Sequence, residues 1–322
     1  MKTRTKLLPA LLGCALLALA PDGAAQAPKL KVLATVPTYA DLAQEIGGEL
    51  VEVTTICRPG QDVHGVTATP SLVERIRDAD LLLYTGLDLE LWLDPMLRSS
   101  GNLDLLPGNP RAIEMSAGIQ LKEVPSVVDR SKGDIHALGN PHVWTDPLAV
   151  RTMAGRVRDA LTEALPDGRD QITARHKAFH DRLTAALVDW LTRYNGLKGR
   201  KVIVYHRSWA YFLDRFGLVE AGALEPKPRV APTASHLSEI VETMKRDGVK
   251  VVIREPWQAT DAAEFVAEAT GAKVLELASH PEAGTAGDGI LLQFEKNLDA
   301  IADALGVKVA AGPGGEAHSP GG

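Results

Sequence analysis

The sequence alternates short apolar runs with amphipathic stretches twice, once before and once after a long helical region. The runs Lys31–Val36 and Asp80–Thr85 predict strands in the first half, and Lys201–Tyr205 and Val249–Arg254 predict strands in the second half. Strands that alternate with helices favour parallel sheets, because a parallel connection needs a crossover that a helix usually supplies. The sequence therefore predicts an α/β protein with two lobes, each built on a parallel sheet.

The long helical region separates the two halves and predicts a single stiff connection between them. Pro166-Asp167-Gly168 interrupts it, and a second helix is predicted from Arg169 to about Tyr194, with apolar residues at spacings of three and four. In the first half, Leu87–Leu97 is also predicted to be helical. We expect an N-terminal lobe at 28–166, a linking helix at 167–196, a C-terminal lobe at 197–310 and a disordered Gly/Pro tail at 311–322.

The first 27 residues have the pattern of a cleaved secretory signal peptide. Three basic residues precede the apolar run Leu7–Ala20, and small residues follow it. The run is shorter than the ~20 residues that a membrane span needs. We therefore expect a periplasmic protein, with a lipoprotein attached at Cys14 as the alternative, since Leu11-Leu12-Gly13-Cys14 resembles a lipobox.

Four of the nine histidines occupy similar positions in the predicted lobes. His64 lies in the loop after the predicted strand Leu50–Cys57, His206 directly follows Lys201–Tyr205, and His280 follows the predicted strand Lys273–Leu277. His142 lies in the segment Asn140-Pro141-His142-Val143-Trp144. Ligands of open parallel sheets bind beyond the carboxyl ends of the strands. Each lobe holds two of the four histidines, so the sequence predicts that they converge in the cleft between the lobes.

The chemistry of these histidines favours zinc. Neutral imidazole suits Zn, Cu, Fe and Ni, whereas Mn, Ca and Mg prefer more oxygen ligands. Three or four imidazoles at tetrahedral distance suit Zn(II) well. His176 and His180 also have a chelating spacing on the long helix, but Lys177 stands where an H-E-x-x-H motif has its Glu. We interpret these two as part of a solvated helix face.

Several stretches of the chain together match a known family. They are Val32–Val36, Asp41–Gly48, Arg58–His64, Ala79–Leu87 and Asn140–Pro147, together with His206 ahead of Tyr211 and Gly217. Through them the chain from Lys31 to Leu305 resembles the zinc- and manganese-binding solute-binding proteins of ABC importers, the cluster A-I or cluster 9 family. The resemblance implies two Rossmann-like lobes joined by a rigid backbone helix, with metal in the cleft.

The same resemblance implies that His64, His142 and His206 are metal ligands. In manganese members the position of His206 is often a Glu, so a histidine there favours zinc. Family members often place an Asp after the last strand, and that position falls near Ala278, which cannot bind metal. We predict His280 as the fourth ligand, with water or Asp288 as alternatives.

One surface segment is a further candidate. Asp129–Gly139 takes the place of the His-rich loop that some zinc members have, and it carries only His136. We predict a mobile surface loop here, with His136 as a weaker candidate ligand that passes metal inward.

The resemblance implies that the chain is no enzyme and delivers Zn(II) to a membrane permease, which works with a cytoplasmic ATPase. The chain has no P-loop, and its net charge of −6 without a basic stripe argues against nucleic acid. We expect a monomer, with a zinc metallochaperone as a further candidate partner. The alternatives are a manganese or iron binder of the same fold and a secreted zinc hydrolase with Glu255 as its base. The absence of H-E-x-x-H and G-x-S-x-G motifs weighs against the hydrolase.

Overall fold

The computed structural model of the chain describes residues 28–125, 136–225, 230–282 and 289–310. The predicted signal peptide with Cys14, the predicted tail, Asp288 and residues 129–135 lie outside these ranges. Within them the chain forms two four-stranded parallel sheets, so the prediction of two α/β lobes is confirmed. Among the described residues, none of the helices combines the length and apolar character that a membrane crossing requires.

The first lobe is built on a sheet with the strand order β2-β1-β3-β4. Its strands are β1 (Leu30–Ala34), β2 (Val51–Thr55), β3 (Leu81–Tyr84) and β4 (Ala112–Glu114), and its helices are α1 (Pro37–Gly47), α2 (Pro70–Asp78) and α3 (Leu93–Ser100). Alternate residues of β3 belong to different hydrophobic clusters, Leu81 and Leu83 to one and Leu82 and Tyr84 to the other. Both faces of the sheet are therefore covered, which explains why the strand is apolar throughout.

The second lobe repeats this design with the strand order β6-β5-β7-β8. Its strands are β5 (Lys201–Val204), β6 (Val219–Ala223), β7 (Val251–Arg254) and β8 (Lys273–Glu276), and its helices are α6 (Ala210–Phe216), α7 (Ala234–Asp247), α8 (Asp261–Thr270) and α9 (Gly289–Ala304). The carboxyl ends of its parallel strands lie at one edge, where His206 follows β5 and His280 follows β8.

Two helices connect the lobes, α4 (Pro147–Ala164) and α5 (Arg169–Arg193). The 25 residues of α5 span about 37 Å at the usual helical rise. Near its middle, Arg182 donates a 2.7 Å hydrogen bond to Glu45 of α1. Towards its C-terminus, Trp190 packs against Phe294 of α9 with ring centroids 5.6 Å apart. The predicted long helix therefore contacts both lobes.

The predicted helix over Leu87–Leu97 is wrong in its first half. Leu87 and Asp88 have left-handed backbone conformations, with φ of 57° and 61°, and α3 begins only at Leu93. A right-handed helix cannot include such residues. The apolar spacing of this stretch comes from a buried turn, in which Leu87 and Leu89 contribute to the core.

The segment that leads into α4 is fastened to the second lobe. The Asp146 carboxylate accepts from the backbone N–H of Leu148 and so caps α4. Arg215 of α6 donates two hydrogen bonds of 2.8 Å to the same carboxylate. Tyr211 of α6 donates a 2.6 Å hydrogen bond to the carbonyl oxygen of Asn140. Through these contacts the segment around His142 is held at the boundary between the two lobes.

Candidate metal centre

Three of the predicted histidines meet between the lobes. His64 lies in the loop between β2 and α2, His142 lies just before α4, and His206 follows β5. Their ligand atoms all lie within 4.8 Å of one another, and no Cys or carboxylate of the described residues joins this group. The ring centroids are 5.0, 5.1 and 5.2 Å apart. Imidazoles bound to one tetrahedral zinc through Nε2 have centroids roughly 5.1 Å apart, given a Zn–N distance of about 2.0–2.1 Å. The spacing therefore fits zinc before any side chain moves.

Each of these rings is oriented by an oxygen acceptor at Nδ1. The partners are Asp62 Oδ1 at 2.9 Å from His64, Asn140 Oδ1 at 2.9 Å from His142, and Glu225 Oε2 at 2.6 Å from His206. An acceptor oxygen requires the proton on Nδ1, which places the lone pair of the neutral ring on Nε2. Metal-binding histidines in proteins are held by the same kind of partner. The three rings are thus prepared to coordinate through Nε2.

Asn140 is itself fixed by contacts from both lobes. Its Nδ2 donates 2.7 Å hydrogen bonds to Glu123 Oε2 and to the carbonyl oxygen of Arg207. With both amide hydrogens used, Oδ1 must face His142, whose backbone N–H also donates to it at 3.0 Å. Arg207 adjoins His206, so one amide ties the surroundings of two rings together. Glu123 has a φ of 53°, a strained conformation that this contact helps to maintain.

Burial keeps the ring of His142 uncharged. Desolvation, followed by the nearby histidines, holds the pKa of His142 well below its ordinary value. A histidine must be neutral to bind a metal ion, so protons compete less at this ring than at a solvated one.

His280, the predicted fourth ligand, lies apart from this group. Its Nδ1 is 2.9 Å from Thr38 Oγ1, and its ring stacks on Trp144 with centroids 4.8 Å apart. Trp144 also contacts His142, at 5.2 Å. Nε2 of His280 is buried and has no hydrogen-bond partner among the described residues. Its ligand atoms are not within the group, and its role as a ligand stays a prediction.

His280 should make the metal-free protein sensitive to acid. Burial lowers its pKa to about 3, whereas an unfolded histidine titrates near 6.5. The stability that comes from the neutral ring of His280 is therefore fully present above pH 6.5 and is lost as the pH falls towards 3. At pH 5 the free energy of unfolding should be lower by about 2 kcal/mol. Urea unfolding of the metal-free protein at pH 7.5 and pH 5 would measure this. Between pH 7.5 and pH 5, the free energy of unfolding of His280→Gln should fall by about 2 kcal/mol less than that of the wild type. An identical fall in both proteins would show that His280 is not the source of the acid sensitivity.

Glu255, the candidate base of the hydrolase hypothesis, is a buried carboxyl group at the end of β7. It accepts a 2.6 Å hydrogen bond from Ser208 Oγ and a 3.2 Å bond from Gln258. Burial raises its pKa to about 7. Its oxygens are not among the grouped ligand atoms. His176 and His180 lie on α5, where the His180 side chain is 42% exposed, as expected for a solvated face.

The residues that orient the ligands were not predicted. Asp62 and Asn140 precede their histidines by two positions, and each also accepts from the backbone N–H of that histidine. An Asp or Asn two positions before a His is visible in the sequence, and this Asx-turn pattern indicates both residues. Glu225 is 19 residues from His206 and follows β6, an edge strand that was not predicted, so no local pattern indicates it.

Comparison with known proteins relates most of the chain to one family. The profile of the ZnuA family, described as the periplasmic zinc-uptake complex component A, matches residues 32–304. The zinc-binding lipoprotein AdcA of Streptococcus pneumoniae is 24% identical over 317 residues, which cover 94% of this chain and 60% of AdcA. The iron-binding protein YfeA of Yersinia pestis is 24% identical over 250 residues, which cover 77% of this chain and 76% of YfeA. This chain thus spans about 60% of the length of AdcA.

Solved structures show the same fold. A crystal structure of ZnuA matches with a TM-score of 0.72 and 24% identity, over 86% of this chain and 99% of that one. The solute-binding protein FpvC of Pseudomonas aeruginosa in complex with Mn²⁺ matches with a TM-score of 0.73 and 22% identity, over 87% of this chain and 99% of FpvC. Since the profile match covers most of the sequence, the chain belongs to the ZnuA family of periplasmic zinc-uptake components.

Proposed function

We propose that this protein captures Zn(II) outside the cytoplasm and delivers it to the permease of an ABC importer. His64, His142 and His206 are the proposed ligands. The observation that carries the proposal is the mutual spacing of the three rings, 5.0–5.2 Å between centroids, which suits a tetrahedral zinc ion. The zinc is cargo, so its site has to bind tightly and also let it go.

Zinc is favoured over manganese and iron by the atoms that the group offers. All three ligand atoms are imidazole nitrogens, and the neighbouring Asp62 and Glu225 carboxylates accept from Nδ1 of two of the rings. Manganese prefers oxygen ligands, which this group lacks. YfeA is named for iron and FpvC was solved with Mn²⁺, so the fold itself accommodates other metals. The ligand set, rather than the fold, supports the choice of zinc here.

Membership of a zinc-uptake family supports the proposal of transporter partners. We propose a membrane permease, with its cytoplasmic ATPase, as the recipient of the zinc, and a periplasmic monomer as the active form. The predicted signal peptide would bring the chain there, with a lipid anchor at Cys14 as the alternative. A metallochaperone that loads the site is a further proposed partner.

The hydrolase alternative receives no support from the site. A catalytic zinc needs a base beside an open coordination position. Glu255 is instead buried and hydrogen-bonded to Ser208 and Gln258.

The test is metal binding by the purified mature protein. We expect one zinc per chain by calorimetry with a competing chelator, and a preference for zinc over manganese of at least about a hundredfold. Equal affinity for the two metals would favour the manganese alternative. The absence of zinc binding would refute the proposal.

A further inference from the structure

A fourth histidine lies beside the three-histidine group. The ring centroid of His136 is 5.4 Å from that of His64 and 6.1 Å from that of His142. Both distances are within about 1 Å of the spacing that one tetrahedral zinc imposes on its imidazoles. The Nε2 atom of His136 is buried and has no hydrogen-bond partner among the described residues.

The backbone carbonyl groups of Leu87 and Asp88 lie close enough to this ring to favour its protonated form. Carbonyl oxygens only accept, so they favour an N–H on the side of the ring that faces them. Nε2 is the buried nitrogen without a partner. A proton on Nδ1 then leaves the lone pair of the neutral ring on Nε2, as in His64, His142 and His206.

The two carbonyl groups belong to a strained turn. Gly86, Leu87 and Asp88 follow one another with φ of 83°, 57° and 61°. Left-handed backbone is uncommon for residues other than Gly, and it persists only where the surroundings enforce it.

The Glu90 carboxylate enforces this turn. It is buried and accepts from the backbone N–H of Thr85 at 2.7 Å, from the backbone N–H of Gly86 at 3.1 Å and from Thr35 Oγ1 at 2.8 Å. Backbone strain that a buried carboxylate maintains is more informative than strain in a free loop, since such conformations concentrate at functional sites.

We propose that His136, through Nε2, is the fourth zinc ligand of this site, and that the turn at 86–88 holds it there. The inference rests on the proposed zinc-binding function. It gives three ligands to the first lobe, His64, His136 and His142, and leaves His206 as the only one from the second. The ligand atoms of His136 and of His280 both lie outside the 4.8 Å group of the other three. The ring of His136 nevertheless lies beside two members of that group, whereas His280 stacks on Trp144 and bonds to Thr38.

The experiment counts imidazoles around bound zinc by X-ray absorption and measures zinc affinity by chelator competition. The variants are His136→Ala, His280→Ala and, as a matched control on α5, His176→Ala. We expect four imidazoles in the wild type and three in His136→Ala, with affinity about tenfold lower because water can take the fourth position. His280→Ala and His176→Ala should keep four imidazoles and the wild-type affinity.

Other outcomes separate this inference from the proposed function. Four imidazoles and unchanged affinity in His136→Ala, or loss of one imidazole in His280→Ala, would overturn the role of His136 while leaving zinc capture intact. A second variant, Glu90→Gln, tests the turn, because weaker support should loosen His136 and speed zinc dissociation severalfold. An unchanged dissociation rate in Glu90→Gln would refute the part assigned to the turn. If the wild-type protein bound no zinc, both the proposed zinc capture and the proposed role of His136 would be refuted.

Discussion

Replacing His206 by alanine is expected to lower the zinc affinity of the protein by about two to three orders of magnitude. Protein zinc sites of this kind bind with roughly 10–16 kcal/mol, and a loss of two to three orders of magnitude removes about 3–4 kcal/mol of that. We expect a loss of this size for a member of the three-histidine group. His206 is the member of the three-histidine group that follows β5, in the second lobe. Its loss leaves zinc attached to the first lobe alone. Chelator competition at pH 7.5 would measure the change.

The matched control for this experiment is His180→Ala. His180 is a histidine of α5 outside the group, and its side chain is 42% exposed, so its removal should leave zinc affinity unchanged. His206→Ala also removes the partner of the Glu225 carboxylate, so unfolding of the metal-free variant should be recorded beside the wild type. A folded His206→Ala protein that binds zinc like the control would rule His206 out as a ligand.

The fold could be predicted because the spacing of apolar residues along the chain indicates where the strands and helices lie. The apolar runs that become β1, β3, β5 and β7 are buried on both faces, and such strands are apolar at every position. The edge strands β4 and β6 were missed, since one has three residues and the other contains Gly222 and a half-buried Glu220. The predicted helix begins too early, at Leu87, because apolar spacing does not report the sign of φ at Leu87 and Asp88.

The candidate site was predictable in part for a different reason. Parallel strands bring their carboxyl ends together, so His64 and His206 could be expected to meet from sequence position alone. His136 is only a weaker candidate in the sequence, because nothing in the sequence around it indicates that its ring lies 5.4 Å from that of His64. His280 satisfied the same strand-end rule and yet lies against Trp144. The rule identifies an edge of the sheet, while side-chain packing decides which residues reach the metal.

Glu225→Gln is expected to weaken zinc binding by about ten- to a hundredfold although Glu225 does not touch the proposed metal position. Its Oε2 lies 2.6 Å from His206 Nδ1, and both side chains are nearly buried. A carboxylate there fixes the tautomer of the ring and makes Nε2 a stronger donor to the metal. A glutamine can still accept the hydrogen bond but carries no charge, so the orientation survives while the donor strength falls.

Glu220→Gln is the matched control for Glu225→Gln, because Glu220 lies on neighbouring β6 and pairs with Arg207 instead of a proposed ligand. Zinc affinity and dissociation rate should change in Glu225→Gln and stay near the wild type in Glu220→Gln. Equal losses in the two variants would mean that the negative charge near the cleft attracts zinc at a distance, and salt would then reduce both effects. A loss confined to Glu225→Gln and insensitive to salt would show that the carboxylate acts through the ring of His206.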